Sequence, residues 1–154
     1  MKNTTFRNQL RLDMHLTEHF TLAEMVRSGT AMKLYIDNTP SEADIERLRL
    51  LCQHVLEPLR RRFGAIRITS GYRSQRLNRA ICGAKHSQHL RGEAADIHVS
   101  NAEVGLKMFR FLRDETDFDQ LLFEHRMRNG CRWLHVSYRS AELNRHHAVE
   151  NYWC

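Results

Sequence analysis

Ser87-Gln88-His89-Leu90-Arg91-Gly92-Glu93-Ala94-Ala95-Asp96 sets a histidine and an aspartate seven positions apart, with a glycine and two alanines between them. Neutral imidazole nitrogen and carboxylate oxygen are the ligands of a zinc ion that keeps one position open for water. From Ala94 to Val99 the chain reads as a strand, with Ala94, Asp96 and His98 on one face. Arg132 to Tyr138 reads as another, with Trp133, His135 and Ser137 on one face and Leu134 and Val136 turned to the core. If both strands belong to one sheet, Asp96 and His135 project from the same side. His89 then reaches in from the preceding loop, which Gly92 allows to bend. His89, Asp96 and His135 are therefore the candidate metal ligands. His98 is an alternative ligand, better placed behind the site than in it.

Working outward, Thr21 and Glu24 form a capping box for a short helix that ends near Ser28-Gly29, with a loop to Asp37-Asn38. Thr39 as cap, Pro40 in the first turn and Glu42 as box partner predict the start of the longest helix. Its apolar stripe is Ile45, Leu48, Leu51, Cys52, Val55 and Leu59, with a kink or restart at Pro58. A strand is expected at 65–70, a short helix at 75–82 and loop at 83–92. Ser100, with Glu103, predicts the cap of a helix that turns Val104, Met108, Phe111 and Leu112 inward. Residues 119–124 read as a strand, and Asn129-Gly130 as the hairpin turn into 132–138. The expectation is an α+β fold with a small antiparallel sheet flanked by helices. Residues 1–16 are expected to form a loose segment and 17–154 a single domain.

The chain carries 42% hydrophobic and 27% charged residues, ordinary for a globular domain, and a net charge of +6. Arg60-Arg61-Arg62 reads as a solvated helix end; the overall charge would favour any polyanion, whether nucleic acid or an acidic cell wall. Four cysteines show no CxxC spacing, and reduced thiols are expected. No signal peptide and no membrane span is read in the sequence, so the expectation is synthesis in the cytoplasm, with outside help needed for export.

A zinc ion lowers the pKa of a bound water to ~7, and a nearby carboxylate is then needed to shuttle its proton. Glu124, at the end of the strand that precedes the hairpin, is the candidate; Glu93 is the alternative. Arg73, in the turn after a strand, reads either as a carboxylate clamp or as an exposed turn arginine.

These residues resemble a known family. Ser87-x-His89-x-x-Gly92-x-Ala94-x-Asp96 with Trp133-x-His135 is similar to the zinc D-alanyl-D-alanine carboxypeptidases, in particular their small phage and prophage subgroup. Phe20 to Met25, Asp37 to Pro40, Val55 to Arg60, Ser70 to Ser74, Leu77-Asn78, Val136 to Tyr138 and Asn144-Arg145 extend the resemblance over roughly residues 17–148. The resemblance implies a fold shared with the hedgehog signalling domain, zinc as cofactor and peptidoglycan stem peptides as substrate. The bond cut would be D-Ala-D-Ala, in a carboxypeptidase, or L-Ala-D-Glu, in an endopeptidase. It makes His89, Asp96 and His135 the zinc ligands, Arg73 a contact to a substrate carboxylate or the transition state, and Ser87 a contact to the substrate backbone. Many relatives carry the catalytic acid three residues before the last histidine; here that position is Arg132, and Glu124 inherits the role. The expected protein is a monomer acting at the cell wall after release or phage carriage, with no nucleic-acid or membrane partner. One rival is a non-catalytic zinc-stabilised module that binds wall or partner protein. The other, a basic nucleic-acid-associated protein, leaves the His-Asp-His spacing unexplained.

Overall fold

The computed structural model describes residues 12–154 of the chain. Residues 1–11 of the expected loose segment lie outside the described residues. Just beyond them, strands β1 (His15–Thr17) and β2 (Phe20–Thr21) pair antiparallel, and Leu16 is buried in the core. Leu16, the last residue of the segment expected to be loose, therefore contributes core contacts. Glu57 explains the attachment: its buried carboxylate accepts from the Thr17 hydroxyl (2.7 Å), the His19 amide (2.7 Å) and His19 Nδ1 (2.8 Å).

Helix α1 (Leu22–Val26) begins with the Thr21–Glu24 capping box, as expected. A second short helix, α2 (Gly29–Lys33), replaces the expected loop because the Ser28 hydroxyl accepts from the Ala31 amide. Helix α3 (Glu42–Leu51) is capped by Ser41 with Asp44, two residues later than the Thr39–Glu42 reading. Asp37 decides this: its carboxylate takes both the Thr39 amide (3.0 Å) and the Thr39 hydroxyl (2.6 Å), leaving Ser41 to cap. A π-helical turn (Cys52–Leu56) follows, and then α4 (Glu57–Phe63). Pro58 has no N–H for a carbonyl one turn back, and the wider turn absorbs the missing bond. Gly64, at φ 81°, closes the helix.

The second sheet begins with β3 (Ile68–Ser70), shorter than the expected strand. After it come α5 (Gln75–Ala80), a 3-10 turn (Gln88–Arg91) and β4 (Ala94–His98). Helix α6 (Ala102–Glu115) is capped by Asn101, one residue past the expected Ser100. Strands β5 (Gln120–His125), β6 (Arg132–Ser137) and β7 (His147–Trp153) complete a sheet of order β3-β4-β6-β5-β7. The first four run antiparallel to their neighbours, whereas β7 adds a parallel edge beside β5. The fold is α+β, and the sheet is mixed rather than wholly antiparallel. Strand β7 escaped the sequence reading because its residues are half-buried or exposed and give no clear alternation.

One face of this sheet is covered. Leu48, Leu51, Val55 and Leu59 of the long helical arm, with Phe109 and Leu112 of α6, belong to one buried cluster with Ile97, Leu121, Leu134 and Val136 of the strands. Such a cluster is the principal favourable term in folding. The opposite face carries Asp96, His135, Trp133 and Glu124, and there the sheet floors a cleft.

Candidate metal centre

Strand register builds the centre. On the open face Asp96 of β4 pairs with His135 of β6, which pairs with Leu122 of β5. The next row is His98, Trp133, Glu124 and Tyr152 across β4, β6, β5 and β7. His89 enters from the 3-10 turn, which Gly92 ends at φ 73°. A side chain on Gly92 would sit 2.6 Å from the Asp44 carbonyl oxygen, so this turn needs glycine for both backbone angle and space.

The three side chains converge. His135 Nδ1 lies 3.1 Å and His89 Nε2 lies 3.3 Å from the same oxygen, Asp96 Oδ1. One donor atom from each of the three lies within 4.8 Å of the others, a spacing that fits a single metal ion. His89 is held for this role from behind, since its Nδ1 lies 2.7 Å from the Gly71 carbonyl oxygen. That carbonyl can only accept, so Nδ1 carries the proton and Nε2 presents its lone pair to the site. Burial favours the neutral imidazole of His89, against the pull of Asp96. Burial also opposes ionisation of Asp96, yet His89 and His135 hold its carboxyl far below the usual carboxylate range. Two imidazoles and one carboxylate are a donor set suited to zinc with an open position.

Arg73 is only 13% exposed and no loose turn residue. Its guanidinium donates to Ser70 Oγ (3.0 Å), Asn78 Oδ1 (3.3 Å) and Asp96 Oδ2 (3.3 Å). With five N–H groups in all, two remain for a ligand. Its backbone N–H also donates to the His89 carbonyl at 3.0 Å, so turn and 3-10 segment hold each other.

Glu124 reaches the cleft half-buried. Burial pushes its carboxyl up, with the Asp96 charge adding and His135 and a hydrogen bond from Trp133 opposing. A carboxyl raised in this way is easier to reprotonate, as a proton shuttle requires. Ser87 lines the same cleft, whose volume is about 730 Å³, and its hydroxyl accepts from the His89 amide at 3.3 Å. The alternative base Glu93 is buried away from the cleft, paired with Arg91 at 2.9 Å and Arg139 at 4.0 Å. His98 lies exposed on the cleft wall, outside the cluster of donor atoms.

Three contributors went unread in the sequence. Asn38 donates to the Val26 (2.8 Å) and Tyr72 (3.1 Å) carbonyls and accepts from the Ser74 amide (2.7 Å), clamping the turn that carries Arg73. Fully buried Asp119 takes Arg145 Nε (3.0 Å), Arg145 Nη2 (2.9 Å) and Gln88 Nε2 (3.0 Å), anchoring the residue before His89. Tyr152 of β7 stands beside Glu124. Only the Asn38-Thr39-Pro40 and Asn144-Arg145 motifs hinted at the first two.

A family model described as Peptidase M15 matches residues 18–137, most of the chain. No curated protein matches it.

Proposed function

The chain belongs to the peptidase M15 family, and from that membership we propose that it is a zinc peptidase that hydrolyses a peptide bond in bacterial cell-wall stem peptides. The observation that carries the proposal is the convergence of His89, Asp96 and His135 on one small volume in a cleft that also holds Glu124. Zinc bound by these three would supply a Lewis acid that polarises the scissile carbonyl and acidifies water. The protein's own groups do the rest. Glu124 accepts the proton of the attacking water and passes it to the leaving amine, the task for which its raised carboxyl is suited. Arg73 helps orient Asp96 through its 3.3 Å bond, and its two remaining N–H groups are left for substrate oxygen. The Gly71 carbonyl keeps the His89 ring in one tautomer. Ser87, at the mouth of the 3-10 turn, contacts the peptide backbone.

The substrate class is taken from the family membership, and D-Ala-D-Ala and L-Ala-D-Glu are the two bonds to be told apart. The test is mass analysis of products from purified peptidoglycan, alongside zinc content. Wild type should bind about one zinc and release peptide fragments. Glu124→Gln should keep the zinc and lose cleavage by about 100-fold or more. Zinc retained with no cleavage by wild type would leave a non-catalytic zinc-stabilised module. Full cleavage by Glu124→Gln would remove Glu124 from the mechanism.

A further inference from the structure

The open face of the sheet carries two hollows, and His135 stands where they meet. One is the cleft of about 730 Å³, which extends toward the hairpin between β5 and β6. The other, of about 290 Å³, lies over the opposite end of β5, above Gln120 and Leu122. Glu124, Ser87, Ala84 and Tyr152 join His135 in lining both. A ligand drawn out along β5 therefore has room on either side of the metal centre. Gln120 stands two residues from Leu122, the partner of His135, which is roughly 7 Å of strand. A peptide laid along the strand would place there a residue about two positions from the bond that is cut.

The polar groups of the smaller hollow are held from behind. Arg145 uses Nε and one N–H of Nη2 on buried Asp119, which leaves three N–H groups at its outer edge. The same carboxylate takes Gln88 Nε2, so the Gln88 side-chain oxygen is left as an acceptor. Arg145 is the only lysine or arginine among the described residues that line this hollow, and Asp119 balances its charge. Donors and an acceptor whose charge is already balanced suit a peptide amide rather than a carboxylate. Tyr152 stands at the junction of the two hollows. It pairs with Glu124 across β7 and β5, is 42% exposed, and makes no side-chain hydrogen bond among the described residues. Its ring is a large contact surface that the fold has not spent. Arg145 and Tyr152 both lie beyond residues 18–137, the part that the family model matches.

We propose that Tyr152, Arg145 and Gln88 form a subsite for uncharged substrate backbone about two residues from the scissile bond, with the Tyr152 ring as its wall. Arg145 and Gln88 bond the peptide amides, and the ring packs against the chain that carries them. Tyr152 is thus a specificity residue, which makes the enzyme prefer peptides long enough to reach past the metal centre. The inference rests on the peptidase reading above.

The experiment compares short stem peptides with the same peptides extended by two alanines, at one end or the other, the new terminus being capped. In the wild type one of the two extensions should raise kcat/KM by about tenfold, mainly through KM. Tyr152→Ala should bring that ratio close to one, and Tyr152→Phe, which keeps the ring, should retain most of it. A general disturbance of the fold would lower short and extended peptides alike and leave the ratio standing. Met127→Ala removes an exposed apolar side chain outside both hollows and should leave the ratio intact. Binding of short and extended peptides to the zinc-loaded Glu124→Gln protein, measured by calorimetry, separates the two readings. A binding gain on extension without hydrolysis by wild type would sink the peptidase assignment and keep the subsite. No gain from either extension, a gain that survives Tyr152→Ala, or a gain seen only when the added residues carry a carboxylate would overturn the subsite.

Discussion

Gly71→Ala tests how the metal centre is built. A Cβ on Gly71 would collide with the Met25 carbonyl oxygen and lie 3.0 Å from its carbon and 3.1 Å from its Cα. These are backbone atoms of α1, so neither side yields by rotating a side chain. Relief must come from moving the turn. Three hydrogen bonds are tied to it: Tyr72 N to Met25 O at 2.7 Å, His89 Nδ1 to Gly71 O at 2.7 Å, and Arg73 N to His89 O at 3.0 Å. Weakening one or two of them costs ~1 kcal/mol each, and residual overpacking adds ~1–3 kcal/mol, for a loss of ~2–5 kcal/mol. Because Gly71 orients His89, zinc affinity should fall by about 10–100-fold. Urea unfolding in chelator reports the first effect, and zinc competition with a fluorescent chelator the second. A variant as stable as wild type, with unchanged zinc affinity, would refute the account of how His89 is held.

Asn38→Ala deprives one amide and two carbonyls of their partner and should cost ~1–3 kcal/mol, with a fall in kcat/KM as the Arg73 turn loosens; unchanged urea melts and turnover would contradict it. Asp119 is buried, which raises its carboxyl, but Arg145 and Gln88 bonds hold it below its ordinary value. A depressed folded pKa gives stability that is complete above ~3.9 and lost as pH falls through the folded value. Asp119→Asn should therefore lie ~2–4 kcal/mol below wild type at pH 7, with the gap shrinking on acidification below about pH 4; a gap constant with pH would refute the ionic contribution. Zinc at a hundred times its dissociation constant should add ~2.7 kcal/mol, or about 5–10 °C in Tm, relative to chelated protein. Substituting Asp96→Asn should abolish most of that gain; a metal response surviving it would place the ion elsewhere.

Short-range signals carried far in this chain. The Thr21–Glu24 box formed as spelled, because its partners lie three residues apart and need nothing else. Alternation along 94–98 and 132–137 was enough to turn Asp96 and His135 to one face, since side-chain direction in a strand is fixed by the pleat. Where two local readings competed, a neighbour outside the motif decided. Thr39 and Ser41 both offer a cap with an acid three residues on, and Asp37 removed Thr39 from the contest.

What periodicity left open was which atoms meet. That Asp96 stands opposite His135, 39 residues on, and Glu124 opposite Trp133, across the hairpin, is a matter of register between strands, set by burying Ile97, Leu121, Leu134 and Val136 together beneath them. Strand β7 exists because β5 has an edge to pair, and its own residues say little of it. Asn38, Gly71 and Asp119 act on groups that come near only after the chain has folded. A sequence states the chemistry each residue brings and the face it takes within its own element; distances between elements come from the packing of the whole core.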